Sequence, residues 1–327
     1  MTELMLPDVP GQFVLSITNS AKGTYFDCPY KYYLEYIRRL TPITPADYFR
    51  WGDLVHRVRE QVALGGKEAL IHMDDCIQYV VEEIRTAIET KELRCSAKVV
   101  EEYEYMFDAL PDVMDGWMLA NAPVANLLRY ESQAVEGKFA MVLYTDETLK
   151  IVFQGKIDDI VRDTKTGKTL NWEIKTAAQT GENFYNQKQF DGQPKGYLLA
   201  AQRLYGFHHT DAMYEVLKKC QRRRDKGETT EEYYHRLGKW TKANYKTAIE
   251  RRVISFTQEE IDAYEYELIH AGKLMYFSYR DILWTKHHPG NRQGGCGFSG
   301  ICKHGEFTTT ETKRFYTRPA KEQHPEL

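Results

Sequence analysis

The middle of the chain places the strongest constraint on its fold. Four short segments, 138–144, 149–153, 156–162 and 169–176, are rich in Val, Ile and Phe and are separated by turn-forming residues, the pattern of successive β-strands. The last two are joined by Asp163-Thr-Lys-Thr-Gly-Lys168, a connection so short that the strands must run antiparallel. Centring the turn between Lys165 and Thr166 places Asp158 opposite Glu173. Side chains two apart in a strand share a face, so Lys175 stands beside Glu173. Two acids and a lysine thus occupy one face of strands that are otherwise apolar.

Helical periodicity flanks these strands. Segment 18–39 carries Tyr25, Tyr32, Tyr33, Tyr36 and Ile37 at helical spacing, with an interruption expected near Pro29. Residues 49–64 place Leu54, Val55, Val58, Val62 and Ala63 on one face and are expected to stop at Gly65-Gly66. Helical pattern then dominates 67–128, broken at Pro111 and Pro123, and predicts a helical insertion or cap. Downstream, 194–205 reads as a helix and 213–217 as a strand, while Thr257 and Glu260 form a capping box that opens a helix to about residue 284. The segment 287–327 is irregular and contains cysteine. Helices, a central run of strands, then helices describe a single α/β domain over 1–327 with helical elaborations.

Composition narrows the class. With 42% hydrophobic and 28% charged residues, neither wholesale disorder nor a membrane bundle fits. No apolar run reaches eighteen residues and the start lacks a secretory pattern, so the expected compartment is the cytoplasm, the host's if the chain is phage-encoded, with no membrane partner. The 23 tyrosines suit both half-buried helix faces and surfaces that stack on bases, and composition does not separate the two uses.

The chemistry suggested by the hairpin follows from electrostatics. Two carboxylates a few ångströms apart repel unless a cation sits between them, and magnesium accepts one or two protein carboxylates with waters completing its octahedron. A lysine alongside would position or activate water and neutralise charge developing on a phosphate. The same three residues would also make a solvated cross-strand salt-bridge network.

The segment GKIDDIVRDTKTGKTLNWEIKT resembles the core signature of the PD-(D/E)XK nuclease superfamily, an Asp on one strand and Glu-x-Lys on the next, in the form found in RecB-like domains. Gly52-Asp-Leu-Val-His56 is similar to the helical G-x-x-x-H element of that branch, and Gln193-Pro-Lys-Gly-Tyr197 to its Q-x-x-x-Y element. The resemblance implies a restriction-endonuclease-like α/β core, a central mixed β-sheet flanked by helices. It implies that Asp158, Glu173, His56 and the carbonyl of Ile174 bind Mg2+ or Mn2+. Lys175 would be the catalytic lysine, and Gln193 and Tyr197 would orient the substrate strand or the lysine. Asp159 stands where many relatives carry a basic residue, and alternation turns it to the opposite face.

Cys28, Cys296 and Cys302 look like the arrangement in iron–sulfur members of the RecB-like family, including AddB-type and CRISPR-associated exonucleases, in which one cysteine before the core and three after it hold a [4Fe–4S] cluster. Gln293 occupies the place of the first trailing cysteine. His287, His288 or His304 would be the substitute ligand, three cysteines and a histidine would equally suit zinc, and buried thiols without metal are the third reading. Cys76, Cys95 and Cys220 fall outside the pattern and are expected to be packing residues.

The net charge of -3 gives no global sign of a nucleic-acid partner, but 218–252 holds twelve Lys or Arg against five Asp or Glu, a local +7. A DNA-facing patch and a solvated loop both produce such a run. The expected activity is metal-dependent hydrolysis of linear DNA, single- or double-stranded, by an exonuclease leaving 5′-phosphate ends, in recombination, repair or phage replication. No Walker A sequence occurs, so the chain is not itself a helicase. The rivals are an RNA-directed enzyme of the same chemistry and a catalytically silent DNA-binding subunit that partners a helicase or annealing protein.

Overall fold

The computed structural model describes residues 7–42, 47–90, 92–93, 95–121, 129–177, 180–218, 224–287, 296–304 and 315–317. Strand β1 (Phe13–Ile17) leads into α1 (Asn19–Asp27), whose N-terminus is capped by Thr18, and into α2 (Pro29–Tyr32), which continues as one π-helical turn to Ile37. The interruption at Pro29 falls where the sequence places it. After β2 (Leu40–Pro42), three helices follow: α3 (Asp47–Ile71), α4 (Met73–Glu89) and α5 (Ala97–Ala120). Two expected helix ends are absent. At Gly66 the backbone leaves the helical region (φ 57°, ψ -131°) and α3 then resumes, so the glycine makes a kink rather than a stop. Pro111 lies inside α5, where Ala109, Leu110, Val113 and Met114 are all buried, and that packing outweighs the lost backbone hydrogen bond. Pro123 lies outside the described residues.

The central strands are longer than their apolar stretches: β3 (Tyr130–Thr145) and β4 (Leu149–Asp163) form one extended antiparallel pair, and β5 (Thr169–Ala177) follows. Then come α6 (Glu182–Phe190), α7 (Gly192–Tyr205), β6 (Asp211–Lys218), α8 (Thr230–Ala243), α9 (Tyr245–Ala248) and β7 (Ile249–Ser255). The capping box of Thr257 and Glu260 opens α10 (Gln258–Arg280) as expected. Helix α11 (Ser299–His304) and β8 (Phe315–Thr317) complete the elements, β8 pairing with β2 in a separate two-stranded ribbon.

The main sheet is mixed. Its order is β1-β4-β5-β6-β7 with β3 on β4, parallel at β1/β4 and β5/β6 and antiparallel elsewhere. β1 pairs with 149–153 of β4 and β5 pairs with 159–162, so residues 154–158 lie where the two neighbours diverge. Two apolar layers hold the sheet. Leu198, Leu199 and Ala200 of α7 and Ile261, Tyr264 and Leu268 of α10 pack with Phe153, Ile160 and Tyr214 of the strands. On the other side α3, α4, α5 and α8 form a helical layer around Leu54, Val58, Ile77, Val80, Met106 and Leu110, reaching the sheet at Leu217. Burial of each such side chain contributes about 1.5–3 kcal/mol. Much of the tyrosine excess belongs to this packing: Tyr25, Tyr32, Tyr36, Tyr103, Tyr185, Tyr197, Tyr214, Tyr234 and Tyr264 are buried.

Candidate metal centre

The β4–β5 hairpin has the register expected from its turn. Asp163 closes the turn: its N–H donates to the carbonyl of Lys168, its carboxylate accepts from Arg129 and from the N–H of Lys165, and Gly167 takes φ 72°. Pairs run from Arg162 and Thr169 to Asp159 and Trp172. At the next position the pairing ends, and the N–H of Ile174 donates to Asp158 Oδ2 at 2.9 Å. The strands part at the first acidic pair, which frees its carboxylates from the sheet pattern.

Around this fork the charged side chains converge. Lys175 Nζ lies 3.1 Å from Glu173 Oε2 and 3.8 Å from Asp158 Oδ2. Glu173 Oε1 is buried without a hydrogen-bond partner. His56, on α3, places Nε2 3.6 Å from Asp158 Oδ1 and 2.8 Å from Glu136 Oε1. Glu136 also pairs with Lys156. Gly52, one turn before His56, has a packing reason: a Cβ there would meet Thr176 Oγ1 at 2.9 Å, so the glycine lets α3 approach β5.

Glu136 is the residue that sequence reasoning missed. It lies between the pairs Val135–Asp159 and Gly137–Ile157, hence across from Asp158, and its φ of 49° is one that non-glycine residues seldom adopt. Its position depends on the β3–β4 register, which carries two irregularities. The one sequence signal is an acid in an otherwise strand-like segment. Ligand atoms of His56, Glu136 and Asp158 all lie within 4.8 Å of one another, and a nitrogen with two carboxylates is a donor set that a divalent cation accepts.

The remaining expected residues are close by. Gln193 Nε2 donates to Tyr197 Oη at 3.1 Å, and Asp191 caps α7 through the N–H of Gln193. Tyr197 packs edge-on against Phe139 of β3. Asp159 faces the other side of the sheet, as alternation requires, and accepts from Ser132 Oγ at 2.7 Å.

Burial and charge together set the protonation of the cluster. Burial pushes Glu173 up to about 7, against the pull of Lys175. Burial opposes the charge on Lys175, but Asp158 and Glu173 override it and raise its pKa. Burial would likewise lower His56, and Asp158 and Glu136 reverse the sign. Tyr197 is raised by burial and then by Glu173, so its phenol stays neutral.

The cysteines of the two ends come into one neighbourhood. Cys28 Sγ accepts from the N–H of His287 at 3.4 Å, and burial followed by the proximity of Cys296 and Cys28 raises the Cys302 thiol. Phe298, Ile301 and Phe315 pack with Leu34 and Leu40 beside Cys296. Zinc bonds of about 2.3 Å would bring thiolate sulfurs to about 3.8 Å. Among the described residues the three cysteines do not form a group within 4.8 Å, so the arrangement does not fit zinc. Gln293 and His288 lie outside the described residues, as does Cys220, and His304 is exposed.

Five of the nine described basic residues in the run 218–252 form ion pairs within the protein. Arg236 pairs with Glu228, Lys242 with Asp112 and Asp115, Arg251 with Glu215, Arg252 with Glu182 and Lys218 with Glu250. Residues 219–223 lie outside the described residues. No helix among the described residues is long and apolar enough to cross a membrane.

No curated protein matches the chain. A solved structure titled "Crystal structure of SSO0001" aligns with 68% of this chain and 80% of its own, at 16% identity and a TM-score of 0.27. The family model of the PD-(D/E)XK nuclease superfamily matches residues 16–303, a span that contains strands β3 to β7 of the mixed sheet, the acidic fork and the Glu173-x-Lys175 strand, and the chain belongs to that superfamily.

Proposed function

We propose that the protein is a DNA phosphodiesterase dependent on Mg2+ or Mn2+, an exonuclease whose products carry 5′-phosphates. The observation that carries this reading is the convergence of His56, Glu136 and Asp158 beside a wholly buried Glu173 and a charged Lys175. His56, Glu136, Asp158 and Glu173 would hold the cation, joined by the carbonyl of Ile174, and the bound ion supplies positive charge to the phosphate and acidifies water.

The chain's own groups do the rest. Lys175, held between Asp158 and Glu173 and kept protonated by them, donates hydrogen bonds. It therefore orients water and stabilises negative charge developing on the phosphate rather than abstracting a proton. Tyr197 and Gln193 supply neutral donors that fix the strand or the lysine. Water adds to phosphorus, the P–O3′ bond breaks, and the departing 3′ oxygen gains a proton, leaving 3′-hydroxyl and 5′-phosphate ends. Recombination, repair or phage replication, with a helicase or annealing protein as partner, is the setting this chemistry suits. The three gathered cysteines favour a second element, a [4Fe–4S] cluster joining the chain ends. Absorbance near 400 nm with stoichiometric iron supports it, and colourless iron-free protein reduces the trio to packing.

Incubation of linear DNA and, in parallel, RNA with wild type and with Asp158→Ala and Lys175→Ala tests the main reading. Degradation of DNA that requires the metal and vanishes in both variants supports it. No digestion by wild type in either metal leaves the silent DNA-binding subunit, and preferential cleavage of RNA leaves the RNA-directed enzyme.

A further inference from the structure

On the face of β3 and β4 that carries Glu136 and Asp158, the next side chains along the two strands are Lys138 and Lys156, register partners that stand directly opposite one another. The contact of Lys156 with Glu136 fixes that face, and Phe139 and Met141 enter the core on the other side. Like charges placed opposite each other in a sheet are destabilising, and here the two are unequally compensated. Lys156 pairs with Glu136 and interacts with Glu60 of α3. Lys138 is exposed and makes no ion pair among the described residues. Gln154, one step further on, is half-buried and adds an amide to the same face.

Along the strands, the lysine pair lies two residues from the acidic pair, about 7 Å, a distance comparable with one nucleotide step of a polynucleotide backbone. A strand that leaves the metal centre along β4 therefore brings its next phosphate to two ammonium groups. An ammonium holds phosphate as a point charge and carries no sequence information. We propose that Lys138, with Lys156 beside it, binds the phosphate of the nucleotide adjacent to the scissile bond. The proposal rests on the hydrolytic reading for its substrate and extends it: the site grips a polymer at a second phosphate, and this grip serves binding rather than bond breaking.

Fluorescence anisotropy of a labelled deoxythymidine decamer with the full chain in chelator, where hydrolysis plays no part, tests the contact. Lys138→Ala should weaken binding about fivefold and lower the slope of log K against log salt by about 0.7, with the same loss for a deoxycytidine decamer. Lys138→Arg, which keeps the charge, should stay within about twofold of wild type. Lys165→Ala removes an exposed lysine beyond the end of β4, about 20 Å along the strand from Lys156 and outside the screening length, and should change affinity by less than about twofold. In magnesium, Lys138→Ala should raise KM for the decamer about fivefold and keep kcat within about twofold. No saturable binding by wild type, wild-type affinity and salt slope in Lys138→Ala, an equal loss in Lys165→Ala, or a fall in kcat at constant KM overturns the proposal. The expected binding losses in a protein that hydrolyses no DNA overturn the hydrolytic reading and leave the phosphate contact standing, whereas hydrolysis with Lys138→Ala indistinguishable from wild type overturns the contact alone.

Discussion

Glu173 on β5 and Glu215 on β6 are equally deep, 0% and 2% exposed, and lie on adjacent strands facing opposite sides of the sheet, since Ile174 is the register partner of Glu215. Their surroundings differ. Glu215 Oε1 accepts from Arg59 Nε at 3.2 Å and Trp117 Nε1 at 2.7 Å, and Oε2 from Arg251 Nε at 2.6 Å. Burial raises its pKa, but Arg251 and Arg59 outweigh that and the net shift is downward. Glu173 has one lysine contact, one oxygen without a partner, and a pKa raised to about 7 by burial. A buried charge surrounded by donors is a fastening: here it ties α3 and α5 to the sheet. A buried charge left incomplete among other acids is a binding site that a cation would finish.

This contrast can be broken by experiment. The largest effect is expected at the incomplete group. Glu173→Gln, like Asp158→Ala, should lower the rate of metal-dependent DNA hydrolysis about 1000-fold or more while the melting temperature stays within a few degrees of wild type. A large fall in melting temperature would put Glu173 in the fastening class. The reverse is expected for Glu215→Gln, which takes from the buried Arg59 and the half-buried Arg251 the carboxylate they share: denaturant titration should show a loss of about 3–5 kcal/mol, with the rate per folded molecule near wild type. Equal stability would mean the two arginines are held by other groups.

A buried base extends the scale. His209 is 7% exposed, hydrogen-bonded to Asn171 and Thr169, and held neutral by burial with a pKa lowered to about 4. The unfolded chain takes up a proton below about 6.5 and the native protein does not until about 4, so stability falls as pH drops through that window, by about 3 kcal/mol in all. Melting curves at pH 7 and 4.5 should show the loss, and His209→Gln should flatten it; a variant with the wild-type slope would assign the titration elsewhere. The smallest effect belongs to Tyr197→Phe, which removes one hydrogen bond to Gln193 and should slow DNA hydrolysis about fivefold, near 1 kcal/mol, with the cation requirement unchanged.

The parts of this site that were legible in the sequence are those fixed by local rules. The turn at 163–168 and the two-residue period of strands were enough to bring Asp158, Glu173 and Lys175 to one face. One helical turn sufficed for Gln193 and Tyr197. Glu136 was hidden because its place is set by a long-range register and an unusual backbone angle. Strand β7 was concealed within the basic run, since Arg251 and Arg252 mask its alternation and the pairing of Arg251 with Glu215 explains a half-buried arginine there. The Gly66 kink and the proline inside α5 were misread as ends because tertiary packing overrode local preference.

The ribbon of β2 and β8 bears on the order in which the protein is made. Residues 40–42 have no strand to pair with until 315–317 have been synthesised, whereas every residue of the acidic fork lies between 56 and 197. On the ribosome the fork can therefore assemble long before the ribbon closes. Joining segments so distant along the chain carries a loop-closure cost in entropy, and the order of synthesis places it after the fork. A chain released before residue 315 would carry all the chemical groups and lack the fastening of its ends, so ribbon closure separates finished from unfinished molecules.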